Sequence, residues 1–483
     1  MAPAILLGEA SPKDDIANTT AETTKTLDII KEKDVGLMHR SLIEPPHEVV
    51  SASGSYIHLS SGATILDGCA GAAVAIIGHG NKEVLAATVA QMEKVSYVHT
   101  ASYVTSSAED LANFILEIPP GGFQHGLEKA YFCGSGSEAN DAALKLGRQY
   151  FFEQGQLQRK WYVSRRQSYH GTSVASMSIS SNLPRSIPYQ DILMPNVAFV
   201  SPAYAYHDQR ATETEEEYAG RLVAELESEF QRIGPENIIS FIAEPIVGAT
   251  DGCVAAPKGY FTGVRQVCDK YGILLHLDEI MCGMGRTGTY FAFEQENIQP
   301  DIVVIGKGLS GGYAPASAVL MSKKIVDVLK AGSAAFNHGH TYQSHPVTCA
   351  TALAVQRIVR RENLVQRCAL MGILLEKMLI DAFGDCRFVG NIRGRGLFWG
   401  IEFVKDKATK ETFAPSQHFG YNVQQNAFKL GLAVYPGAAT VDGVRGDHVI
   451  VAPPLNISVV DLGKIVRLLK EAYTQEESQV ATS

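Results

Sequence analysis

The chain has 483 residues, 46% hydrophobic and 19% charged, a mixture that excludes a disordered or fibrous protein and suffices for two domains around a large core. A formal net charge of -9 argues against a general nucleic-acid binder and against a polybasic membrane anchor. Eight cysteines, at 69, 133, 253, 268, 282, 349, 368 and 386, lack C-x-x-C spacing, which suits buried free thiols in a reducing compartment better than a disulfide framework or a zinc site.

The opening MAPAILLGEASPKDD is too short in its apolar part for a signal peptide or a membrane span, so a cytoplasmic protein without a membrane partner is the expectation. Residues 1 to about 35 are polar, with TTAETTKT at their centre, and are expected on the surface or against a partner subunit. Alternation from Gly54 to Leu59, a turn at Ser61-Gly62 and a return at Ile65-Leu66 predict a β-hairpin. Cys69 to Ile77 reads as buried loop and strand. Helical spacing of Val84, Leu85, Thr88 and Met92, and of Leu111, Phe114 and Ile115, predicts two helices lying against a sheet.

Ala130 to Phe132 reads as a short strand running into Gly134-Ser135-Gly136-Ser137, where a helix opens with Ala139, Ala142, Ala143, Leu146 and Tyr150 on its apolar face. Strands are predicted at Lys160 to Ser164, Ile238 to Ala243, Ile273 to Leu277 and Ile302 to Ile305, with an acidic amphipathic helix over 213–233 stopped by Gly234-Pro235. Strands alternating with helices from about 75 to 320 are the pattern of a parallel sheet covered on both faces. Beyond Pro346 the pattern becomes one long helix over about 347–382. Strand-like alternation follows from Phe388 to Glu402, then short strands near Leu432 and His448 and a last helix near 459–473.

Ligands of parallel sheets gather outside the carboxyl ends of the strands, and four such ends carry chemistry here. Asp278 ends one apolar run, and Lys307, between Gly306 and Gly308, follows another 29 positions on. An amine able to form a Schiff base and a carboxylate able to keep a pyridine nitrogen protonated are what pyridoxal phosphate requires, although either charge taken singly reads first as a surface lysine or a helix cap. The Gly134 to Ser137 turn opens a helix whose free N–H groups suit a phosphate; an ordinary helix cap, with Ser137 capping and Glu138 answering the dipole, is the other reading. Tyr169, before His170-Gly171, places an aromatic ring at the mouth of the same crevice, and Glu244-Pro245 ends a further strand.

The segments CGSGSEANDAALKLGR, SYHGTS, AEPIVGATDGCVAAPKGY, LDEIMCGMGRTG, PDIVVIGKGLSGGYAPASAVL, HGHTYQSHP and RGRGLFWGIEF, in that order, closely resemble the class III aminotransferases over about 37–475. The resemblance implies an α/β protein of fold type I. A large domain at 76–343 would carry a mainly parallel seven-stranded sheet between helices, with a smaller α+β domain at 344–483 and a segment at 1–75 shared between small domain and dimer contacts. It implies pyridoxal 5'-phosphate held by Lys307 as a Schiff base, with Asp278 on the pyridine nitrogen, Tyr169 and Ile280 on the two ring faces, and Ser135, Gly136 and Ser137 on the phosphate. Thr341 would reach that phosphate from the neighbouring subunit of a homodimer with shared active sites. Glu244 would support the ring's surroundings and His170 would orient the site.

The implied reaction is ping-pong transfer of an amino group from a primary amine or ω-amino acid to a 2-oxo acid such as pyruvate. A decarboxylase or aminomutase on the same fold, or a non-catalytic binding protein, are the alternatives. Ornithine- and γ-aminobutyrate-type members carry glutamine after Glu-Pro-Ile, where this chain has Val247, which argues against those substrates. Aligning on Pro453-Pro454-Leu455 places Gly443 where amine-type members have a carboxylate-binding arginine; Arg445, two residues on, is the candidate substitute or a solvated loop residue. Arg393 and Arg395 read as structural residues of a glycine-rich strand.

Overall fold

The computed structural model describes residues 36–482 apart from positions 45 and 120, so the expected tail at 1–35 lies outside the described residues. The predicted hairpin is present. Strand β1 (Val49–Ser53) pairs with β2 (Tyr56–Leu59), which pairs antiparallel with β3 (Thr64–Asp67).

The central sheet takes β4 (Leu127–Cys133), β5 (Trp161–Arg165), β6 (Val197–Val200), β7 (Ile238–Ala243), β10 (Leu274–Asp278), β11 (Ile302–Ile305) and β12 (Ser317–Ser322), in the order β4-β12-β11-β10-β7-β5-β6. A small antiparallel pair, β8 (Ile246–Val247) and β9 (Val254–Ala255), branches off after β7. β12 runs antiparallel to both of its neighbours, while β11, β10, β7, β5 and β6 pair in parallel. The carboxyl ends of β4, β5, β7, β10 and β11 therefore share one edge.

Every residue of β7, β10 and β11 is buried, as their continuous apolar runs require of strands covered on both faces. Alternation sorts their side chains. Leu275, Leu277, Val303 and Ile305 face a core with Tyr218, Leu222 and Tyr260, whereas Leu274, Ile302 and Val304 pack with Ala139, Ala142 and Leu146 of the Gly136–Glu153 helix. Asp278, in step with Leu274, faces that helix. Small side chains let the helix lie close to the sheet: a Cβ on Gly147 would stand 2.9 Å from Ile239 Cγ2.

The acidic helix is Glu215–Ile233, opened by a Thr214/Glu217 capping box and stopped at Gly234. In the C-terminal part, β13 (Val389–Arg395), β14 (Phe398–Phe403), β17 (Asp447–Val451) and β16 (Tyr435–Ala438) form an antiparallel sheet, and β15 (Leu432–Ala433) pairs in parallel with β3. That last pairing ties the first hairpin to the end of the chain.

Three expectations are corrected. Cys69 to Ile77 forms no strand; Ala70, Gly71 and Ala73 have φ of 48°, 70° and 62°, left-handed turns that no ladder accepts. The predicted helix over 347–382 is two helices, Pro346–Arg361 and Leu364–Phe383, separated at Asn363 with φ 51°. The Lys82–Lys94 helix lies against the Pro346–Arg361 helix rather than a sheet, through Val84 and a Thr88 to Thr351 hydroxyl pair 2.8 Å apart, and leaves Leu85 and Met92 50% and 56% exposed.

Because the Gly136–Glu153 helix owes its seat to Gly147, Gly147→Val is expected to lower unfolding free energy by about 1–3 kcal/mol through overpacking against Ile239. Chemical denaturation of the variant beside the parent checks this.

Candidate active site

The shared strand edge encloses a crevice of about 480 Å³ whose lining includes Ser135, Gly136, Ser137, Tyr169, His170, Glu244, Asp278, Ile280 and Lys307. Nine of the eleven residues singled out in the sequence thus meet in one place.

Asp278 is fully buried, and burial by itself would push its carboxyl up. His170 Nδ1 at 2.8 Å, the Ile280 N–H at 3.0 Å and Asn140 Nδ2 at 3.0 Å all donate to it, and together with the histidine's charge they outweigh burial and hold it below the usual carboxylate range. Asn140 also donates to the His170 carbonyl at 2.7 Å, locking the loop after β5 to the helix after β4. Glu244 goes the other way. Burial raises its carboxyl although the N–H groups of Tyr169 and Gly248 donate to it at 3.2 and 3.1 Å.

Lys307 follows β11 with φ 42°, a left-handed conformation that a lysine adopts only under constraint from its surroundings. Burial lowers its ammonium from 10.5 to about 8, against the opposing pull of Glu244 and Asp278. Among the described residues the Lys307 side chain makes no hydrogen bond, so burial, with no such partner holding the charge in place, brings its amine closer to the neutral, nucleophilic form than that of a surface lysine. Its glycine neighbours are there for space: a Cβ on Gly306 would lie 3.0 Å from Ile280 Cδ1, and one on Gly308 3.1 Å from Ile76 Cγ2.

At the other end of the crevice the Gly136–Glu153 helix opens. Its cap is Ser135, whose hydroxyl accepts the Glu138 N–H at 3.3 Å, and not Ser137, whose hydroxyl accepts the Thr172 N–H at 3.0 Å. The Gly136 and Ser137 N–H groups have no helical partner and aim at an anion placed before the helix. Gly171, with φ 139°, lets the loop close on this turn, since a Cβ there would fall 2.6 Å from Ser137 Oγ. A basic nucleophile, a charged carboxylate, an aromatic wall and an anion cradle fit pyridoxal phosphate, with Lys307, Asp278, Tyr169 and the Gly136-Ser137 turn as the holders.

Two residues fall outside the lining. Thr341 is exposed and lines an adjoining cavity of about 440 Å³ with Gly134, Glu138 and Ser317. Arg445 lies on an exposed loop with its Nε 2.7 Å from Asp442 Oδ2. Arg393 and Arg395 are engaged as structural residues, with Glu402 at 2.5 Å and Glu296 at 2.9 Å. Sequence reasoning missed Asn140, although a polar residue amid the alanines of a buried helix face was its visible signal. It also missed Arg185, whose Nη1 donates to Tyr169 Oη at 3.0 Å.

The family model for aminotransferase class-III matches residues 39–472. The chain is a class III aminotransferase. An uncharacterized aminotransferase of Schizosaccharomyces pombe is 44% identical over 94% of this chain and 98% of its own length. Gamma aminobutyrate transaminase 3, chloroplastic, of Solanum lycopersicum is 33% identical over 98% of this chain and 88% of its own. Among solved structures, the omega transaminase of Pseudomonas jessenii in complex with PMP superposes with TM-score 0.86 at 32% identity, covering 93% of this chain and 98% of that one. This aminotransferase is an enzyme dependent on pyridoxal phosphate, on a fold-type I α/β framework. No helix among its described residues is long and apolar enough to cross a membrane.

The lowered Lys307 value sets a pH dependence. With 10.5 in the unfolded chain and about 8 in the folded one, the folded state releases its proton first. The buried amine therefore destabilises the cofactor-free aminotransferase fully below about 8, and the penalty fades as pH rises toward 10.5. In cofactor-free protein, Lys307→Met is expected to raise the denaturation midpoint at pH 7 and to lose that advantage near pH 10.5, measured by denaturant titrations across pH.

Proposed function

We propose that this aminotransferase moves an amino group from a primary amine or ω-amino acid to a 2-oxo acid such as pyruvate, in two half-reactions that use one site in turn. The observation that carries the reading is the meeting of a buried Lys307 amine and a buried Asp278 held as carboxylate in the crevice that the Gly136–Glu153 helix opens onto. A relative named a gamma aminobutyrate transaminase and a structural neighbour named an omega transaminase support an ω-amino donor. Val247, buried in the β8–β9 ladder, contributes no polar group to the site.

Pyridoxal phosphate, when bound, supplies an aldehyde for capturing amines and a ring that withdraws electrons from the substrate carbon. Lys307 Nζ would hold the cofactor and, when freed by a substrate amine, its neutral amine would carry the proton between the substrate carbon and the cofactor. Asp278 keeps a proton on the pyridine nitrogen, and its bonds from His170 and Asn140 keep it ionised for that work. Gly136 and Ser137 N–H groups, with the hydroxyls of the Ser135 to Ser137 turn, hold the phosphate, while Tyr169 and Ile280 confine the ring. Glu244, anchored to the Tyr169 N–H, fixes the aromatic wall.

Thr341 completes the phosphate site of a second copy, so the working unit is a homodimer; its exposed position, and the exposed Leu85 and Met92, support a surface made to be covered. The eight buried, unbridged cysteines support a reducing, cytoplasmic setting.

The test is a half-reaction panel in which cofactor-loaded protein meets single amines and the change of the cofactor's absorbance band is followed without acceptor. Primary amines and ω-amino acids are expected to convert it, with pyruvate restoring the band. Lys307→Ala should abolish conversion while leaving a folded dimer, and Asp278→Asn should slow it by roughly a hundredfold or more. Undiminished conversion in Lys307→Ala, or carbon dioxide release in place of a carbonyl product, would overturn the assignment.

A further inference from the structure

Transfer to a 2-oxo acid requires a group for the acceptor's carboxylate, and the crevice lining offers none: its cation is Lys307, reserved for the amine chemistry. A carboxylate at such a site is best met by a guanidinium, whose planar fork donates to both oxygens. Most arginines around the site are already spent. Arg165 donates to the Glu244 carbonyl, Arg286 to the carbonyls of Leu397 and Pro453, and Arg393 to Glu402, while Arg445 stands on an exposed loop and gives its Nε to Asp442.

Arg185 is different. It sits half-buried on the short Leu183–Ser186 helix, with its guanidinium carbon 4.9 Å from the Tyr169 ring centroid and Nη1 3.0 Å from Tyr169 Oη. Among the described residues it makes no ion pair and no other side-chain hydrogen bond. Stacking on an aromatic ring fixes a guanidinium plane without using up its donors, and Tyr169 is the ring that walls the crevice. The wall is continuous on the other side. Gly443 of the loop that carries Arg445 packs so closely on Leu183 that a Cβ there would lie 3.1 Å from Leu183 Cδ1. The half-buried phenol of Tyr435 lies within reach of the charges of Arg185 and Arg40.

We propose that Arg185 binds the carboxylate of the 2-oxo acid acceptor, held at the mouth of the crevice by Tyr169, and so sets the acceptor specificity of this aminotransferase. The inference rests on the proposed transfer to a 2-oxo acid and adds the residue that recognises it. A carboxylate oxygen accepting from Arg185 would stand within about 5 Å of Tyr169 Oη, between the ring edge and solvent. Amines without a carboxylate have no use for this contact.

Arg185→Gln and Arg185→Lys, prepared as cofactor-loaded protein and converted to the amine form, separate the possibilities. Each is mixed with pyruvate or with propanal, an acceptor lacking the carboxylate, and the return of the absorbance band is timed. Arg185→Gln is expected to raise the pyruvate concentration for half-maximal rate by about tenfold or more while the propanal value moves less than about threefold. Arg185→Lys should fall between, keeping the charge but not the fork.

Calorimetric titration of the resting, cofactor-loaded protein with propionate, an unreactive carboxylate, should weaken in parallel. Equal losses for pyruvate and propanal would make Arg185 a support for Tyr169 alone and overturn the proposal. A pyruvate-selective loss in Arg40→Gln or Arg445→Gln with none in Arg185→Gln would do the same. If the parent protein converts no amine, the aminotransfer reading fails by itself, and the propionate titration still decides the role of Arg185.

Discussion

An ionised carboxylate kept inside the protein is the constraint on which the site depends. Asp278 is buried at the end of β10, where an unpartnered charge would cost several kcal/mol. Three donors offset that, and each comes from a different stretch: His170 from the loop after β5, Asn140 from the helix after β4, and the Ile280 N–H from its own turn. Holding one charge therefore pins three strand ends to each other. The same bonds shape the space above the sheet, because Asn140 also ties down the His170 backbone and Ile280 rests against Gly136 and Gly306.

Two buried ionisable groups face each other across this space with opposite needs. Asp278 has enough donors to stay charged, whereas among the described residues no acceptor bonds the Lys307 amine, which burial drives toward neutrality. Both conditions come from one sheet edge, and the difference lies only in what the neighbouring loops supply. Amine chemistry near neutral pH requires this pairing of a charged acid partner with an uncharged nucleophile. The left-handed φ of Lys307 and the tight approach at Gly171 show the backbone bent to serve it.

Much of the framework was legible along the chain. β7 and β11 lie where their apolar runs predicted them, the Glu215–Ile233 helix stops at Gly234, and the residues on the apolar face of the Gly136–Glu153 helix are the buried ones. Hydrophobic periodicity carries this information because these elements are covered by others on the sides their pattern shows. It failed where small residues adopt left-handed turns, as at Ala70 and Ala73, and where one residue, Asn363, divides a continuous helical pattern. It failed also for the Lys82–Lys94 helix, whose apolar Leu85 and Met92 are turned away from any core of the same chain.

The sequence by itself determined which chemical groups stand at the strand ends, since local pattern places a strand, its end and the residue just beyond it. Those groups point to the cofactor, and the class of reaction comes from the resemblance of the whole chain to the class III aminotransferases. Tertiary structure alone decided the state of those groups and their company. His170 and Asp278 meet across 108 positions, and Arg185 reaches Tyr169 through a short helix that shows no periodic signal. Charge state depends on burial and on donors brought from elsewhere in the chain, so Asp278 and Lys307 acquire their opposite characters only when the sheet edge is assembled.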